Sequence, residues 1–491
     1  LINLAPFIHN GSLLFLGKEL PSPTSLSIDS RKVEEGGLFV SIPGNHHDGT
    51  HFIEDALRSG AMGVIVPHGL GQKMLEQFQE QYPNVSFFET AHIRKVASLL
   101  AAEFYPFQPE NIVAVTGTSG KTSTVSFIRQ IWYHLGFPAA SLGTLGLIIE
   151  GRTLPAPTGT DGLNTPDPVR LHQILDNLKG QFIDHLAFEA SSHGLDQHRL
   201  DGVRLKAAVF TNFSNDHLDY HHTMEAYFEA KVRLFQELMG PDKYAIVNAD
   251  ISECETLLRI CKKRGLPTLT FGKEGENIRL ISIIPKMGSQ DVLLYIEGKS
   301  YNLHLPFVGQ FQVYNVMAAL GAVMACGGNV TQAVEACLNL KGIPGRLELA
   351  APGVYVDYSH KPEALSSALK ALRSHTKGQL WVVFGCGGNR DKIKRPMMGE
   401  IAARLADKII ITDDNPRHEN SAEIRQQILA KCPEAKEIPS RHEAIRAAIE
   451  GMRPGDVVLI AGKGHETYQV VGDQTFPFND VEEVQKCVRK R

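Results

Sequence analysis

Short runs of apolar, mostly β-branched residues recur along the chain, each closing on Gly, Asn, Asp, Thr or Pro, and many lead into stretches with apolar positions three and four apart. Runs of four to eight such residues bounded by turn formers predict buried strands, and the three-to-four spacing predicts helices that bury one face. Strands are expected at 37–42, 63–66, 112–115, 207–210, 244–247, 380–384, 408–412 and 457–461, with a shorter one at 186–188. Helices are expected over 93–104, from Lys121 toward His134, and over 224–238. Strand and helix signals that alternate in this way predict an α/β protein with largely parallel sheets, whose ligands sit where strand ends meet loops.

Two turn-rich passages divide the pattern. Tyr105-Pro106-Phe107-Gln108-Pro109 precedes the strand at 112–115, and Gly342-Ile343-Pro344-Gly345 precedes the last group of strands. At 100–200 residues per domain, 491 residues suggest three domains. The expected bounds are 1–95, 96–342 and 343–491.

Composition narrows the function classes. With 50 Lys+Arg against 54 Asp+Glu the net charge is -4, and there is no block of like charge, so nucleic acid is not an expected partner. Apolar runs such as Val457–Ala461 fall far short of the roughly 20 residues of a membrane helix. Residues 1–20 lack the basic, apolar and small-residue order of a secretory signal, so the expectation is a cytoplasmic protein with no membrane insertion; a monomer is also expected, on no residue of the sequence. Seven scattered cysteines, never spaced C-x-x-C, are expected to be reduced structural thiols.

The strand at 112–115 runs into Thr116-Gly117-Thr118-Ser119-Gly120-Lys121-Thr122-Ser123 and then a helix. Glycines let backbone N–H groups turn inward around phosphate, the helix N-terminus adds positive potential, Lys121 reaches the β/γ oxygens, and the Thr122 hydroxyl is suited to Mg²⁺. The unit predicts a nucleoside triphosphate site, although Val115 stands where the general phosphate-loop pattern has its first glycine. Two further strand ends carry chemistry: Glu189-Ala190-Ser191-Ser192-His193-Gly194-Leu195-Asp196-Gln197-His198-Arg199, and Thr211-Asn212-Phe213-Ser214-Asn215-Asp216-His217-Leu218-Asp219-Tyr220-His221. A carboxylate at a strand end near a phosphate loop is a plausible Mg²⁺ ligand, and Ser, Gln and Arg beyond it suit an anionic polar substrate.

Together these segments resemble the ATP-dependent Mur ligases, which form amide bonds in peptidoglycan precursors. The resemblance continues through Gly345-Arg346-Leu347-Glu348, Asp357-Tyr358-Ser359-His360-Lys361-Pro362, Gly385-Cys386-Gly387-Gly388-Asn389-Arg390-Asp391 and Ala461-Gly462-Lys463-Gly464-His465-Glu466, and it spans essentially the whole chain. The family's shortened phosphate loop accommodates Val115. The implied architecture is an N-terminal domain for the UDP-linked substrate, a central phosphate-loop ATPase domain with a parallel sheet, and a C-terminal Rossmann-like domain for the incoming amino acid. The implied reactants and cofactors are ATP, Mg²⁺ and UDP-N-acetylmuramoyl-L-alanyl-D-glutamate. By resemblance, Gly117 to Ser123, Asn315, Arg346 and Asp357 contact ATP. Thr122, Glu189, His217 and a carbamylated Lys231 hold the metal, with Lys121 as the catalytic cation. Ser30, Asn45, His46, His47, Asn164, Thr165, Ser191, Gln197 and Arg199 receive the UDP-linked acceptor.

After the strand at 408–412 comes Asp413-Asp414-Asn415-Pro416-Arg417. The tetrad Asp414-Asn415-Pro416-Arg417 resembles the signature of members that add meso-diaminopimelate. The second carboxylate of that amino acid, which lysine lacks, matches a guanidinium fork at Arg417 or Arg390. Asp414, Asn415, Pro416, Gly462 and Glu466 are expected around the remaining polar groups. Ile393 stands where the family often has Gly, and Asn479-Asp480-Val481-Glu482 lacks its usual Arg. A lysine-adding ligase, a folylpolyglutamate synthase-like ligase and an ATP-binding scaffold without ligase activity are the alternatives.

Overall fold

The computed structural model describes residues 2–17, 19–44, 48–70, 72–150 and 163–489. The chain forms two compact units, Leu1–Leu269 with Ala322–Gly327, and Thr270–Gly321 with Gly328–Arg491.

The first unit opens with strands β1 (Leu14–Phe15), β2 (Leu26–Ser27), β3 (Leu38–Val40), β4 (Gly63–Pro67) and β5 (Ser86–Thr90), ordered β1-β5-β4-β3-β2 and parallel except at β1. One face of this sheet presents Leu38, Val40, Ile65 and Phe88, the other Phe39, Val64, Val66 and Phe87, and both are buried. Burial on both faces is why β3 and β4 read as continuous apolar runs. Helix Ile93–Phe104 covers the first face with Ile93, Val96, Ala97, Leu100 and Ala101, the spacing of one helical stripe. The strand expected at 37–42 is shorter than its apolar run, because the chain turns after Val40.

The second sheet of this unit takes β6 (Asn111–Thr116), β7 (Ala139–Gly143), β8 (Gly146–Ile149), β9 (His185–Glu189), β10 (Ala207–Phe210) and β11 (Tyr244–Asn248), in the order β11-β10-β6-β9-β7-β8. All neighbours are parallel except β7 with β8. Ile112, Val113, Ala114 and Val115 of β6 are fully buried, and each of the larger three contributes about 1.5–3 kcal/mol of apolar transfer. Because β6, β9 and β10 run side by side in one direction, the residues after Thr116, Glu189 and Phe210 emerge at the same edge, which is where an open α/β sheet binds ligands. A cavity of 630 Å³ lined in part by Lys179, Arg204, Lys206 and Lys243 opens at the other ends of these strands.

The helix expected over 224–238 is α-helical only from Met224 to Arg233 and continues as a π turn over Leu234–Leu238. The ladder widens where Arg233 is tied by hydrogen bonds to the Leu195 carbonyl (2.8 Å) and Asp201 (2.6 Å), and where Leu234 and Phe235 are buried.

The chain enters the second unit within β12 (Thr268–Gly272), followed by an antiparallel meander of β13 (Ile278–Lys286), β14 (Ser289–Ile296) and β15 (Lys299–Leu305). Sequence reading did not find this meander; β13 is exposed over most of its length, while β14 alternates buried and exposed positions. The final sheet takes β16 (Glu348–Ala351), β17 (Val354–Asp357), β18 (Leu380–Phe384), β19 (Lys408–Ile411), β20 (Lys436–Glu437) and β21 (Val457–Ala461), ordered β16-β17-β21-β18-β19-β20 and parallel except at β16. A hairpin, β22 (Tyr468–Val471) with β23 (Gln474–Pro477), follows. The fold is thus mixed α/β with mostly parallel sheets, as expected. All seven cysteines are free thiols. Among the described residues, no helix is long and apolar enough to cross a membrane.

Candidate active site

Strand β6 delivers Gly117 to Gly120, and helix Lys121–His134 begins directly after them, with Gly120 in the left-handed region (φ 84°) at its N-cap. Gly117 has φ 135°, and a Cβ there would lie 2.0 Å from Thr211 Oγ1, so only glycine fits. The loop is sewn to the segment after β10. Thr211 Oγ1 donates to the Ser119 carbonyl (2.7 Å), Asn212 Oδ1 accepts from Ser119 N–H (2.8 Å), and Thr118 Oγ1 donates to the Ser214 carbonyl (3.1 Å). The Tyr227 hydroxyl donates to Thr118 Oγ1 (3.3 Å). These bonds fix the loop by its side chains, its carbonyls and the N–H groups of Thr118 and Ser119. Lys121 Nζ donates to the carbonyls of Gly117 (2.7 Å) and Thr118 (2.8 Å).

Glu189 closes β9, 1% exposed, and accepts from Thr144 N–H (2.8 Å) and Thr144 Oγ1 (3.2 Å). The Thr122 hydroxyl is 3.4 Å from that of Thr144, so Thr144 joins the phosphate-loop helix to the buried carboxylate. Gly143 makes room for it, as a Cβ there would sit 2.2 Å from Glu189 Oε1. Among the described residues Glu189 forms no ion pair, and a buried carboxylate in that state, beside a threonine hydroxyl, suits a hard cation bound through oxygen. His217 sits instead in a group of rings, 4.8 Å from His193 and 6.1 Å from Tyr227, and Lys231 Nζ stands 4.4 Å over the Tyr227 ring. Among the described residues no three His, Cys, Asp or Glu side chains form a metal-binding group, and only Glu189 and His217 of the four residues expected to hold the metal are of those types.

Four of the residues expected to receive the UDP-linked acceptor form one network. Thr165 Oγ1 lies 2.9 Å from Ser191 Oγ and 2.8 Å from the Glu189 carbonyl, Arg199 donates to the Thr165 carbonyl (2.6 Å), and Arg199 also holds Gln197 Oε1 (2.7 Å). Tyr220, which sequence reading did not single out, continues the chain from Gln197 (3.2 Å) to Asp196 (2.7 Å). Asn164 is half-buried beside Thr165, and Ser30, on the turn Ser30–Lys32 of the first sheet, is not part of the network. Asn45, His46 and His47 lie outside the described residues.

In the second unit, Asn315 donates to Gln312 (3.0 Å), and Gln312 donates to the Arg346 carbonyl (3.2 Å). The Arg346 guanidinium lies over the Tyr358 ring at 4.9 Å. Asp357 accepts from Leu347 N–H (2.7 Å), from Ser359 N–H (2.9 Å) and from the Ser359 hydroxyl, and burial raises its pKa above the ordinary carboxylate range. Asn315, Arg346 and Asp357 are therefore brought together within this unit.

The loops after β18 and β19 meet at Gly387 and Gly388. Gly388 N–H donates to the Asn415 carbonyl (2.9 Å), and Arg417 Nη1 donates to the Gly388 carbonyl (2.9 Å). A Cβ on Gly387 would lie 2.9 Å from Arg417 Nη1 and 3.8 Å from Arg390 Cγ, so the two arginines flank one glycine. Asn415 is turned inward: its Oδ1 accepts from Lys463 Nζ (3.1 Å) and Val470 N–H (2.9 Å), and its Nδ2 donates to Glu466 (3.0 Å). Asp414 caps Asn415 N–H (2.7 Å) and borders Gly462, where a Cβ would be 2.7 Å from Asp414 Oδ2. Pro416 is buried between them and Arg417. Sequence reading missed Lys463 and hairpin β22–β23, which pins this loop by Arg417 N–H to the Val470 carbonyl (3.1 Å).

A phosphate loop at the carboxyl edge of a parallel sheet marks a nucleotide-binding α/β protein, and family comparison narrows the class to the ligases. The chain matches models of the Mur ligase family catalytic domain over residues 23–105, the Mur ligase middle domain over 115–323 and the Mur ligase glutamate ligase domain over 345–464. It belongs to the Mur ligase family. It is 45% identical over 477 residues, 95% of each chain, to the UDP-N-acetylmuramoyl-L-alanyl-D-glutamate--2,6-diaminopimelate ligase of Bradyrhizobium diazoefficiens, and 44% identical to that of Zymomonas mobilis, covering 94% of each. A solved structure of a ligase of the same name superposes with a TM-score of 0.69 at 32% identity, covering 95% of both chains. The MurF ligase of Thermotoga maritima, solved with ADP, shares the fold at a TM-score of 0.63, 22% identity and 95% and 97% coverage.

Proposed function

We propose that this chain is an ATP-dependent ligase that joins meso-diaminopimelate to the D-glutamate of UDP-N-acetylmuramoyl-L-alanyl-D-glutamate, releasing ADP and phosphate. The observation that carries this reading is the convergence of Arg390 and Arg417 on Gly387. The Arg417 fork at Gly387, with the stem of Arg390 on the other side of that glycine, suits an amino acid that presents a second carboxylate, and lysine would leave the fork unmatched. A lysine-adding activity is the alternative that the same observation disfavours.

The side-chain carboxylate of the acceptor must first be activated, since a carboxylate does not react with an amine. The phosphate loop cradles ATP with its backbone N–H groups, and Lys121 leaves the loop carbonyls to neutralise charge as the γ-phosphoryl passes to that carboxylate. Thr122 and Glu189 would hold Mg²⁺, with His217 and a carbamylated Lys231 completing its surroundings; the metal supplies charge neutralisation to the phosphates. Asn315, Arg346 and Asp357 would contact the nucleotide, while Thr165, Ser191, Gln197 and Arg199 orient the acceptor. Arg390, Arg417, Asp414 and Glu466 orient the diamino acid so that its amine attacks the acyl phosphate; the C–N bond forms, the C–O bond to phosphate breaks, and the amine's surplus proton leaves to solvent. The activity is that of the cytoplasm, where both the nucleotide-linked acceptor and ATP are made available.

The test is a ligation assay with ATP, Mg²⁺ and the UDP-linked dipeptide, offering meso-diaminopimelate and L-lysine separately and weighing the product by mass spectrometry. Product with diaminopimelate alone supports the reading, lysine incorporation overturns the amino-acid assignment, and phosphate release without product from either amine overturns the ligase.

A further inference from the structure

Behind the two arginines lies a pair of residues that neither motif contains. Arg395, on helix Lys394–Leu405, is fully buried and grips Glu419 with both terminal nitrogens, Nη1 to Oε2 at 3.0 Å and Nη2 to Oε1 at 3.1 Å. The same guanidinium donates to the Gly387 carbonyl (3.1 Å) and to Gln427 (2.9 Å). Glu419 in turn accepts from the backbone N–H of Asn389, and Asn389 Oδ1 accepts from His418 N–H (3.2 Å). One ion pair therefore holds both loops: Arg395 grips the loop 385–391 by its carbonyl, and Glu419 grips the same loop by its N–H while belonging to the chain just after Arg417. The Arg395 guanidinium draws the Glu419 carboxyl down to about 2, so the pair stays ionised throughout the physiological range.

We propose that Arg395 and Glu419 are positioning residues for the incoming amino acid, setting the separation of the two loops that carry Arg390 and Arg417 without touching the ligand. Arg395 has no exposed surface with which to meet a ligand, and both oxygens of Glu419 are already engaged. A bidentate pair constrains distance and angle together, which a single charge does not, so the geometry depends on the fork and not only on its charge. The Arg417 fork must meet the distal carboxylate across the loop that carries Arg390, and an error of about 1 Å in the spacing of the two loops weakens binding and discrimination on the order of tenfold or more. The inference rests on the proposed diaminopimelate activity and deepens it, since it locates what sets the spacing of the specificity arginines.

The experiment is steady-state kinetics of the full chain with meso-diaminopimelate and with L-lysine, for wild type, Arg395→Lys, Glu419→Gln and Glu419→Asp. Arg395→Lys keeps the charge and loses the fork; Glu419→Gln keeps the shape and loses the charge. Both are expected to raise KM for diaminopimelate roughly tenfold, to leave KM for ATP within about twofold, and to shrink the ratio of kcat/KM between diaminopimelate and lysine. Glu419→Asp, which keeps the charge at a shorter reach, should fall between these and wild type. A merely structural role would lower the active fraction for both amines alike and leave KM and the ratio unmoved, and that result overturns the proposal. Should Arg395→Lys fail to fold, the two Glu419 variants decide by the same ratio. Wild type that ligates no diaminopimelate sinks the proposed function and this inference with it, whereas wild type that ligates it while the variants keep its KM sinks the inference alone.

Discussion

Lys121 and Lys231 donate to one oxygen, the carbonyl of Gly117, at 2.7 and 2.9 Å. Lys121 arrives from the phosphate-loop helix, and Lys231 from the helix Met224–Arg233, where it is 1% exposed. Two ammonium groups converging on one acceptor repel each other in a place that water barely reaches.

Conversion of Lys231 to a carbamate turns that repulsion into attraction, because the modified side chain ends in a carboxylate beside the Lys121 cation. Ligation is therefore expected to fall when dissolved CO₂ is stripped from the buffer and to return with bicarbonate, and Lys231→Ala should lower kcat by about a hundredfold or more. Activity indifferent to CO₂, measured in sealed and degassed assays, would refute the modification.

Gly143→Ala places a methyl group where Glu189 Oε1 now lies, 2.2 Å from the new Cβ. The carboxylate must swing away from Thr144, so turnover should drop on the order of a hundredfold while overpacking costs about 1–3 kcal/mol of stability. Phosphate release assays together with thermal melts separate the two effects, and full turnover in a folded variant would show that Glu189 has no part in the reaction.

Arg441 and Asp480 form a fully buried pair, Nε to Oδ1 and Nη2 to Oδ2 both at 2.7 Å, and Arg441 also holds the Ala461 carbonyl (3.0 Å) at the end of β21. Asp480→Asn leaves the guanidinium without its counter-charge and is expected to cost roughly 3–5 kcal/mol, whereas replacing both residues by apolar ones of similar volume should recover most of the loss. Urea unfolding reports this directly, and a cost under about 0.5 kcal/mol for Asp480→Asn would contradict it.

His172 is fully buried and, among the described residues, neither ring nitrogen is hydrogen-bonded, and burial lowers its pKa to about 4; burial likewise holds His360 at about 4. Both are kept neutral in the folded protein while the unfolded chain takes up protons near pH 6.5. Their contribution is full above about 6.5 and is lost as pH falls toward 4, at roughly 1.4 kcal/mol per pH unit for each. Melting temperatures should decline across that window, and His172→Gln should make the decline shallower. A flat profile in both proteins would contradict the assignment.

The phosphate loop was legible because its mechanism fixes its spacing: a buried strand, glycines and a helix start leave little choice for β6, Gly117 and Lys121. Glu189 was legible for the related reason that a polar residue ending an apolar run marks a strand end. Thr144, Tyr227 and Lys463 were not, since a lone hydroxyl or lysine gives no sign of which partner 45, 109 or 48 residues away it will meet. Asn415 shows the same limit from the other side, because sequence places a carboxamide in the loop but not the inward turn that spends it on Lys463 and Glu466. Strand β13 escaped because an exposed strand lacks the apolar signal on which strand reading depends, whereas β14 does alternate, with Val292, Leu294 and Ile296 buried, and was overlooked.

Gly117, Gly143 and Gly388 are each walled in so closely that a single added carbon would collide with Thr211, Glu189 or the Pro416 carbonyl. Mutation ordinarily lets an enzyme escape an inhibitor by growing a side chain into the occupied space. At these three points that route is closed from within, so a compound whose contacts fall on their backbone atoms would meet a surface that the protein has little freedom to change.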